Sequence, residues 1–251
     1  MGSGIAWRLH RAGFKRLVML DTENPMAVRR SVCFSEAVYD GKKIVDGITG
    51  VALQTSLDIE KTLKKSQIPV LVDPSWLTIG KWRPEVVIDA ILAKKNIGTR
   101  IDEAELVIGL GPGFCAGIDS HIVIETNRGP NCGRLIHQGY AEKNTGIPGS
   151  VMGHDVARVV RAPATGIFAA AVLLNARVKA GDILGTVDNK VVKAQIDGRV
   201  RGLIRDRLFV KTGVKIGDIE PREQVNNNLV SDKSLALAGA VLEAILFRYN
   251  S

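Results

Sequence analysis

The sequence predicts an α/β protein: a mainly parallel sheet, a second, smaller all-β domain, and a closing helix. Three observations predict it. Over residues 1–155, short β-branched runs alternate with helical stretches. From about Val156 the helical patterning stops, and short strands between glycine and aspartate turns replace it. After Pro221 and the polar stretch EQVNNN a helix returns. Ser231 is its N-cap, and Leu235, Leu237, Val241, Leu242, Ile245 and Leu246 form its apolar stripe. The expected divisions are 1–155, 156–222 and 223–251, with the last helix packing on the first domain.

The first stretch, GSGIAWRLHRAGF, reads as a helix with Ile5, Leu9 and Ala12 on one face and Gly13 at its end. RLVMLD follows as a buried strand ending at Asp21. Together they read as a βαβ unit lacking its first strand. Gly2, Gly4 and Asp21 have the spacing of a dinucleotide site, with glycines at the helix start and a ribose-binding acid about 20 residues on. A tight strand-to-helix turn explains the same residues without a ligand. NPMAVRRSVCFSEAVYDGKKIVDGITGVAL reads as a short helix and then strands joined by an Asp40-Gly41 turn, with Cys33 on a strand. SLDIEKTLKKSQ is helical, with Leu57 and Leu63 inward. IPVLVDP, EVVIDAIL and AELVIGLG read as three strands. This alternation is that of a Rossmann-like, doubly wound sheet.

The densest chemistry lies in VIGLGPGFCAGIDSHIVIETNR, from Val107 to Arg128. A strand runs into Gly109, Gly111, Gly113 and Gly117, with Cys115, Asp119 and His121 among and after them. Backbone N–H groups from Gly111 to Ala116 suit an anion. Cys115 alternatively serves as a nucleophile or soft ligand, its thiolate favoured by nearby N–H groups. Asp119 and His121 share a face if the backbone is extended, and with Cys115 would form an incomplete metal set. No paired Cys-x-x-Cys completes it, so no metal is expected. Asp89, Lys94, Lys95 and Asn96 form a second cluster at a strand end, suited to phosphate or an acidic pterin. Asn127, Arg128, Asn131 and Arg134 read as a ligand rim or as turn chemistry. Packing alone is the competing explanation for each cluster.

The formal charge is +8, from 34 basic and 26 acidic residues. The basic residues are scattered and aromatics make up 5%. That pattern argues against a nucleic-acid groove and for a bias toward acidic ligands. No apolar run reaches the roughly 18 residues that span a bilayer. Three dispersed cysteines do not form a disulfide framework, so a reducing cytoplasm is the expected compartment. Ser-His-Asp elbows, HExxH and a complete Walker loop are absent. Whether the chain catalyses a reaction is left open, and a homo-oligomer is allowed.

An internal repeat marks the β region. Ala162–Gly166 (APATG) is echoed 32 residues later by Ala194–Gly198 (AQIDG), and Val178–Gly181 (VKAG) at the same offset by Val210–Gly213 (VKTG). Two such halves predict a pseudo-twofold β unit. Val160 to Asp218 resembles the biotinyl/lipoyl-type barrel-sandwich domain. In carriers of that family a lysine stands at a hairpin tip. Here the hairpin is GTVDNKVVKAQIDG, with Asp188-Asn189 as a type I′ turn, and Lys190 is the nearby lysine. The carrier's flanking signature is absent. The resemblance therefore implies a non-carrier interaction barrel, with a modified Lys190 as the alternative.

The whole chain resembles the bacterial YqeB family, accessory proteins of selenium-dependent molybdenum hydroxylases. The resemblance rests on GIAWRLHRAGF, SVCFSEAVYDG, VIDAILAKKNIGT (87–99), GLGPGFCAGIDSHIVIETNRGPNCGR, NTGIPG and SDK…GAVLEAIL. The family pattern RGxGxxA precedes the first helix, and this chain starts inside it; whether a native start lies upstream of Met1 is left open. The resemblance implies a maturation factor that binds a nucleotide or molybdopterin-type cofactor and partners a hydroxylase or its maturation machinery. Cys115 would then handle sulfur or selenium. An NAD(P)-dependent oxidoreductase, suggested by Gly2, Gly4 and Asp21, is the alternative of another class.

Overall fold

A computed structural model describes residues 1–250. It is a mixed α/β protein with parallel and antiparallel sheets and a C-terminal helix. It divides into two compact units: 1–22, 50–145 and 230–251 form one, and 23–49 and 146–229 the other. This division differs from the sequential one expected, because 23–49 belongs with the β region. Among the described residues no helix is long and apolar enough to cross a membrane.

The chain begins with α1 (Gly2–Arg11) and β1 (Met19–Asp21). α2 (Ala37–Asp40), β2 (Lys42–Val45) and β3 (Ile48–Leu53) follow. The hairpin turn is Asp46-Gly47, not Asp40-Gly41. Both its residues have positive φ, 44° and 82°, as a type I′ turn demands. Gly41, at φ 76°, instead ends α2. Cys33 is not on a strand; it separates two 3-10 turns. α3 (Ile59–Leu63) is one short turn preceded by a 3-10 segment, which leaves Leu57 89% exposed while Leu63 is buried.

β4 (Ile68–Val72), α4 (Leu77–Trp82), β5 (Val86–Asp89), β6 (Leu106–Leu110), β7 (Cys115–Ala116), β8 (Ile122–Ile124), β9 (Leu135–Ile136) and β10 (Gly139–Tyr140) complete the central stretch. β1, β4 and β3 pair in parallel, with β1 at the edge and only half-buried. β5, β6 and β8 form a second parallel set, closed by antiparallel β9. The parallel strands thus fall into two small sheets. No α-helix joins β5 to β6 or β6 to β8, so the expected strand–helix alternation is incomplete.

Every residue of β6 is buried. Leu106, Ile108 and Leu110 pack with Ile5 and Leu9 of α1 and with Leu237, Val241 and Ile245 of the last helix, α5 (Asp232–Tyr249). Burying each such side chain contributes about 1.5–3 kcal/mol before entropy is charged. The other face is covered by Phe114, Ala116 and Ala141 around Val123. This double cover explains why β6 reads as a continuous apolar run.

The second unit is built on eight strands: β11 (Val159–Arg161), β12 (Gly166–Ala170), β13 (Arg177–Val178), β14 (Ile183–Val187), β15 (Lys190–Lys193), β16 (Gly198–Leu203), β17 (Phe209–Val210) and β18 (Lys215–Glu220). They form two antiparallel sheets, β11-β18-β16-β13 and β15-β14-β12-β17, around Phe168, Leu184, Val187, Val200, Leu203 and Ile216. The 32-residue repeat appears as reciprocal pairing. Gly166 pairs with Val210, and Gly198 with Val178. Gly181 N–H donates to the Ala194 carbonyl at 2.8 Å, and Gly213 N–H to that of Ala162 at 2.9 Å. Asn175 and Arg207, at φ 66° and 63°, donate to Val200 and Phe168, each at 2.8 Å. Each half therefore completes the other's hydrogen-bond ladder.

Residues 23–49 cover one flank of this unit. The Val28 carbonyl accepts Leu203 N–H at 2.9 Å, and a Cβ at Gly202 would strike Val28. Arg205 bonds Glu36 and Asp40, with its guanidinium 4.5 Å from the Tyr39 ring centre. At the 188–189 turn only Asp188 has positive φ, which excludes type I′. Its carboxylate folds back to accept Ile167 N–H at 3.1 Å.

Candidate functional site at the carboxyl edge of β5, β6 and β8

β5, β6 and β8 end together, and the loops leaving them meet the first turn of α5. Asp89 ends β5 and is 6% exposed. Its carboxylate accepts Ile91 N–H at 2.9 Å and the Thr99 hydroxyl at 2.7 Å. Asn96 accepts from Gly98 and Thr99 N–H groups and donates to the Thr99 carbonyl. Both side chains are spent shaping the 90–99 loop. Lys94 sits in that loop at φ 66°, rather than on a helix, and Lys95 follows it.

The four glycines of the 109–117 segment do not expose a row of N–H groups. A Cβ on Gly109 would lie 2.5 Å from the Phe114 ring, and one on Gly113 2.5 Å from the Lys95 Cα. One on Gly111 would strike Thr126. Gly111 N–H donates to the Ile124 carbonyl at 2.9 Å, Cys115 N–H to the Asp119 carboxylate at 2.8 Å, and Gly117 N–H to the Ser120 carbonyl at 2.8 Å. Two donors of the expected anion cradle, Gly111 and Cys115, are therefore already committed, as is Gly117 just beyond it. The glycines at 109, 111 and 113 let a ring, a threonine and the 90–99 loop close onto the strand end.

Cys115 and Asp119 share one turn, while the His121 ring is committed elsewhere. Asp119 closes its own turn on Cys115 N–H. Cys115 is 7% exposed and lies against the Tyr140 hydroxyl, whose pKa the contact raises. His121 precedes β8, where its Nδ1 accepts Val107 N–H at 3.0 Å. That is the amino end of the sheet, roughly 13 Å from Gly111 at about 3.3 Å per residue. Burial lowers the His121 pKa, and Arg248 adds to this. Among the described residues no group of three His, Cys, Asp or Glu side chains has a metal-holding arrangement.

Gly4 also serves packing. A Cβ at position 4 would strike Ser234 at 2.8 Å, whereas one at position 2 would make only ordinary contact with Ala90 at 3.5 Å. α1 thereby enters between the end of β5 and the start of α5. Asp21 ends a strand of the other sheet, where it accepts Thr22 N–H. His10 is 7% exposed and bonds the Ser66 carbonyl through Nε2 at 3.0 Å.

The edge also carries cations that sequence reasoning did not assemble. Lys233 is in the first turn of α5, capped by Ser231. Burial pushes its ammonium below the ordinary lysine range; Lys94 and Arg128 push it the same way, while Cys132 and Glu125 oppose them. Arg128 pairs with Asp232 at 3.3 Å. Glu125, 3% exposed, is held by Asn127 and Glu142 N–H groups at 2.6 and 2.7 Å. Asn131 and Asn127 donate to Glu142 at 2.9 and 2.6 Å, which keeps that carboxyl below its usual range. Asn131 thus organises the rim. Only the SDK…GAVLEAIL motif pointed toward Lys233, and Lys94, Arg128 and Lys233 are far apart in sequence.

No protein-family model matches the chain. It is 47% identical over 247 residues to a protein named "Uncharacterized protein YqeB" from Escherichia coli K12. The match covers 98% of this chain and 46% of that protein, so the chain spans about half the length of its relative. Among solved structures it is similar to an aspartoacylase family protein from Mesorhizobium loti, with 17% identity over 35% of this chain and 34% of that one, at TM-score 0.25. It is also similar to the ectoine utilization protein EutE from Ruegeria pomeroyi, with 17% identity over 34% and 28%, at TM-score 0.25. Scores this low carry no weight for the fold or the site.

Proposed function

The chain belongs to the YqeB family, and on that premise we propose that it is an accessory factor in maturing selenium-dependent molybdenum hydroxylases. In this reading it holds an anionic cofactor, a nucleotide or a molybdopterin-type pterin, at the carboxyl edge of β5, β6 and β8. The observation that carries the reading is the convergence of Lys94, Arg128 and Lys233 there, at the start of an 18-residue helix. Cations gathered at a helix N-terminus favour phosphate. The donor set suits acidic groups through side chains; Lys94, Lys95, Arg128 and Lys233 would hold them. The cofactor brings the reactive group, and the chain binds and orients it. Cys115 remains the proposed sulfur- or selenium-handling thiol, with Cys132 closer to Lys233. Unchanged hydroxylase maturation with Cys115→Ser would remove that role.

The same reading takes the first unit as Rossmann-like and the second as a barrel-sandwich interaction module. Parallel strand order supports the former, and the reciprocal 32-residue pairing supports the latter. Exposed Lys190 beside the 188–189 turn keeps the carrier alternative in view; unchanged intact mass after expression with biotin or lipoate ligase would dismiss it.

The test is equilibrium titration of the full chain with GTP, ATP and NADH, repeated on Lys233→Gln. A charge-assisted contact contributes about 1.5–3 kcal/mol, so a tenfold or greater loss is expected. No saturable binding of any of the three, or equal affinity in the variant, would refute this site. NADH binding alone would favour the oxidoreductase alternative.

A further inference from the structure

The second unit contains an open groove of about 430 Å³ outside the site described above. The volume falls in the small-molecule range. Asn175, Arg199, Glu223, Asn226, Asn227 and Asn228 contribute to its lining. Its lining, among the described residues, has no aromatic side chain on which a base or sugar ring would stack.

Asn227 is 4% exposed and fixed from two sides. Its carbonyl accepts the Arg29 guanidinium at 3.0 Å and the Ser31 hydroxyl at 2.9 Å. Its Nδ2 donates to Asn175 Oδ1 at 3.1 Å, while its own Oδ1 is buried without a partner. Asn227 is thereby locked in place and fixes Asn175, while Asn228 N–H bonds Asn226 Oδ1 at 2.9 Å, so this side of the groove is held by its own contacts.

Charge near this groove is unbalanced. Arg199 donates to the Asn175 carbonyl at 3.1 Å, and Arg29 to the carbonyls of Asn227 and Leu229. Carbonyls satisfy N–H groups but do not neutralise guanidinium charge. Arg222 bonds both Glu220 oxygens, and Arg201 lies 3.3 Å from the same carboxylate. Glu220 is the register partner of Arg199. Around this groove Arg29, Arg158, Arg199, Arg201, Arg222 and Lys215 outnumber the carboxylates Asp218, Glu220 and the lining Glu223. Burial, followed by the neighbouring Arg201, lowers Arg29 to about 10. The Nε atoms of Arg29 and Arg201 are buried without partners.

We propose that this groove binds a small polar ligand bearing an oxyanion, a phosphate or a carboxylate. Arg199 and the Asn228 amide receive the anion, and the surplus positive charge around Glu220 favours it. The inference does not depend on the cofactor reading of the first unit.

Calorimetric titration of the full chain with pyrophosphate and with citrate tests it. Both are run in a Lys233→Gln background, which keeps the first unit's cations from dominating. Binding of either ligand that weakens at least tenfold with Arg199→Gln is expected; pyrophosphate alone marks a phosphate site and citrate alone a carboxylate site. Asn228 is exposed, so Asn228→Asp tests the same groove without threatening the fold, and it too should weaken binding by repelling the anion. Should Arg199→Gln fail to fold, Asn228→Asp decides. Absence of binding by both ligands, or affinities that neither folded variant changes, would overturn the proposal.

Discussion

Gly113→Ala should destabilise the first unit by about 2–4 kcal/mol, and Gly117→Ala by only about 1 kcal/mol. Both glycines have positive φ, 112° and 87°. A side chain there costs about 1–3 kcal/mol, partly offset by the roughly 0.4–1 kcal/mol gained from restricting the unfolded chain. The two positions differ in space. An added Cβ at 117 meets nothing within 4 Å, whereas at 113 it meets Lys95 Cα at 2.5 Å and its N and C atoms at 2.7 Å. Backbone cannot rotate away, so about 1–3 kcal/mol of overpacking is added. Trp7, Trp76 and Trp82 are the chain's three tryptophans and all lie in the first unit. Urea unfolding followed by tryptophan fluorescence therefore reports on that unit. Unfolding free energies within about 0.5 kcal/mol of each other would show that Lys95 does not press on Gly113. The packing role assigned to the glycine segment would then be wrong.

Ser231→Ala removes the acceptor for Ser234 N–H and should cost about 1 kcal/mol in the same assay. His10 and His121 both have folded pKa values lowered from 6.5, His10 by burial and then Lys15, His121 by burial and then Arg248. The unfolded chain then takes up protons first as pH falls through about 6.5, so stability declines from there down to the folded values. The urea midpoint should fall between pH 7.5 and 5.5, and the double change His10→Gln/His121→Gln should reduce that fall. Because the Lys233 ammonium is depressed, anion binding at the first-unit edge should weaken on the alkaline side at lower pH than an exposed lysine allows; a pH series of titrations checks this. In the β unit, Gly198→Ala should lower the calorimetric transition more than Gly166→Ala. The added Cβ strikes the Glu220 backbone carbonyl in the first case and only the movable Asp188 side chain in the second.

The β unit was legible because its repeat carries its own geometry. Glycines recurring at 166 and 198 and at 181 and 213 mark backbone positions with positive φ, and each pairs with the opposite half. The attachment of residues 23–49 was not legible. It depends on a main-chain bond from Leu203 to Val28 and on Glu36 meeting Arg205 across 169 positions. No local pattern encodes such contacts. The Asp-Gly pairs show a finer limit. Asp40-Gly41 and Asp46-Gly47 have the same composition, yet one ends a helix and the other turns a hairpin, because glycine suits both.

At the candidate site, the glycine-rich strand end was correctly located by its alternation of apolar run and turn, but glycine composition alone does not separate a ligand cradle from close packing. Both need a missing Cβ. What separates them is where the N–H groups point, and here Gly111, Cys115 and Gly117 donate to Ile124, Asp119 and Ser120. In the proposed site the anion is therefore met by side chains rather than by this backbone. Gly113 admits the 90–99 loop, that loop brings Lys94 toward Lys233, and Gly4 lets α1 close against the start of α5. Small residues make the approach and distant cations supply the charge. Replacing a glycine should accordingly act on anion binding through the position of Lys94, whereas replacing Lys233 should act on it directly while leaving the loop in place.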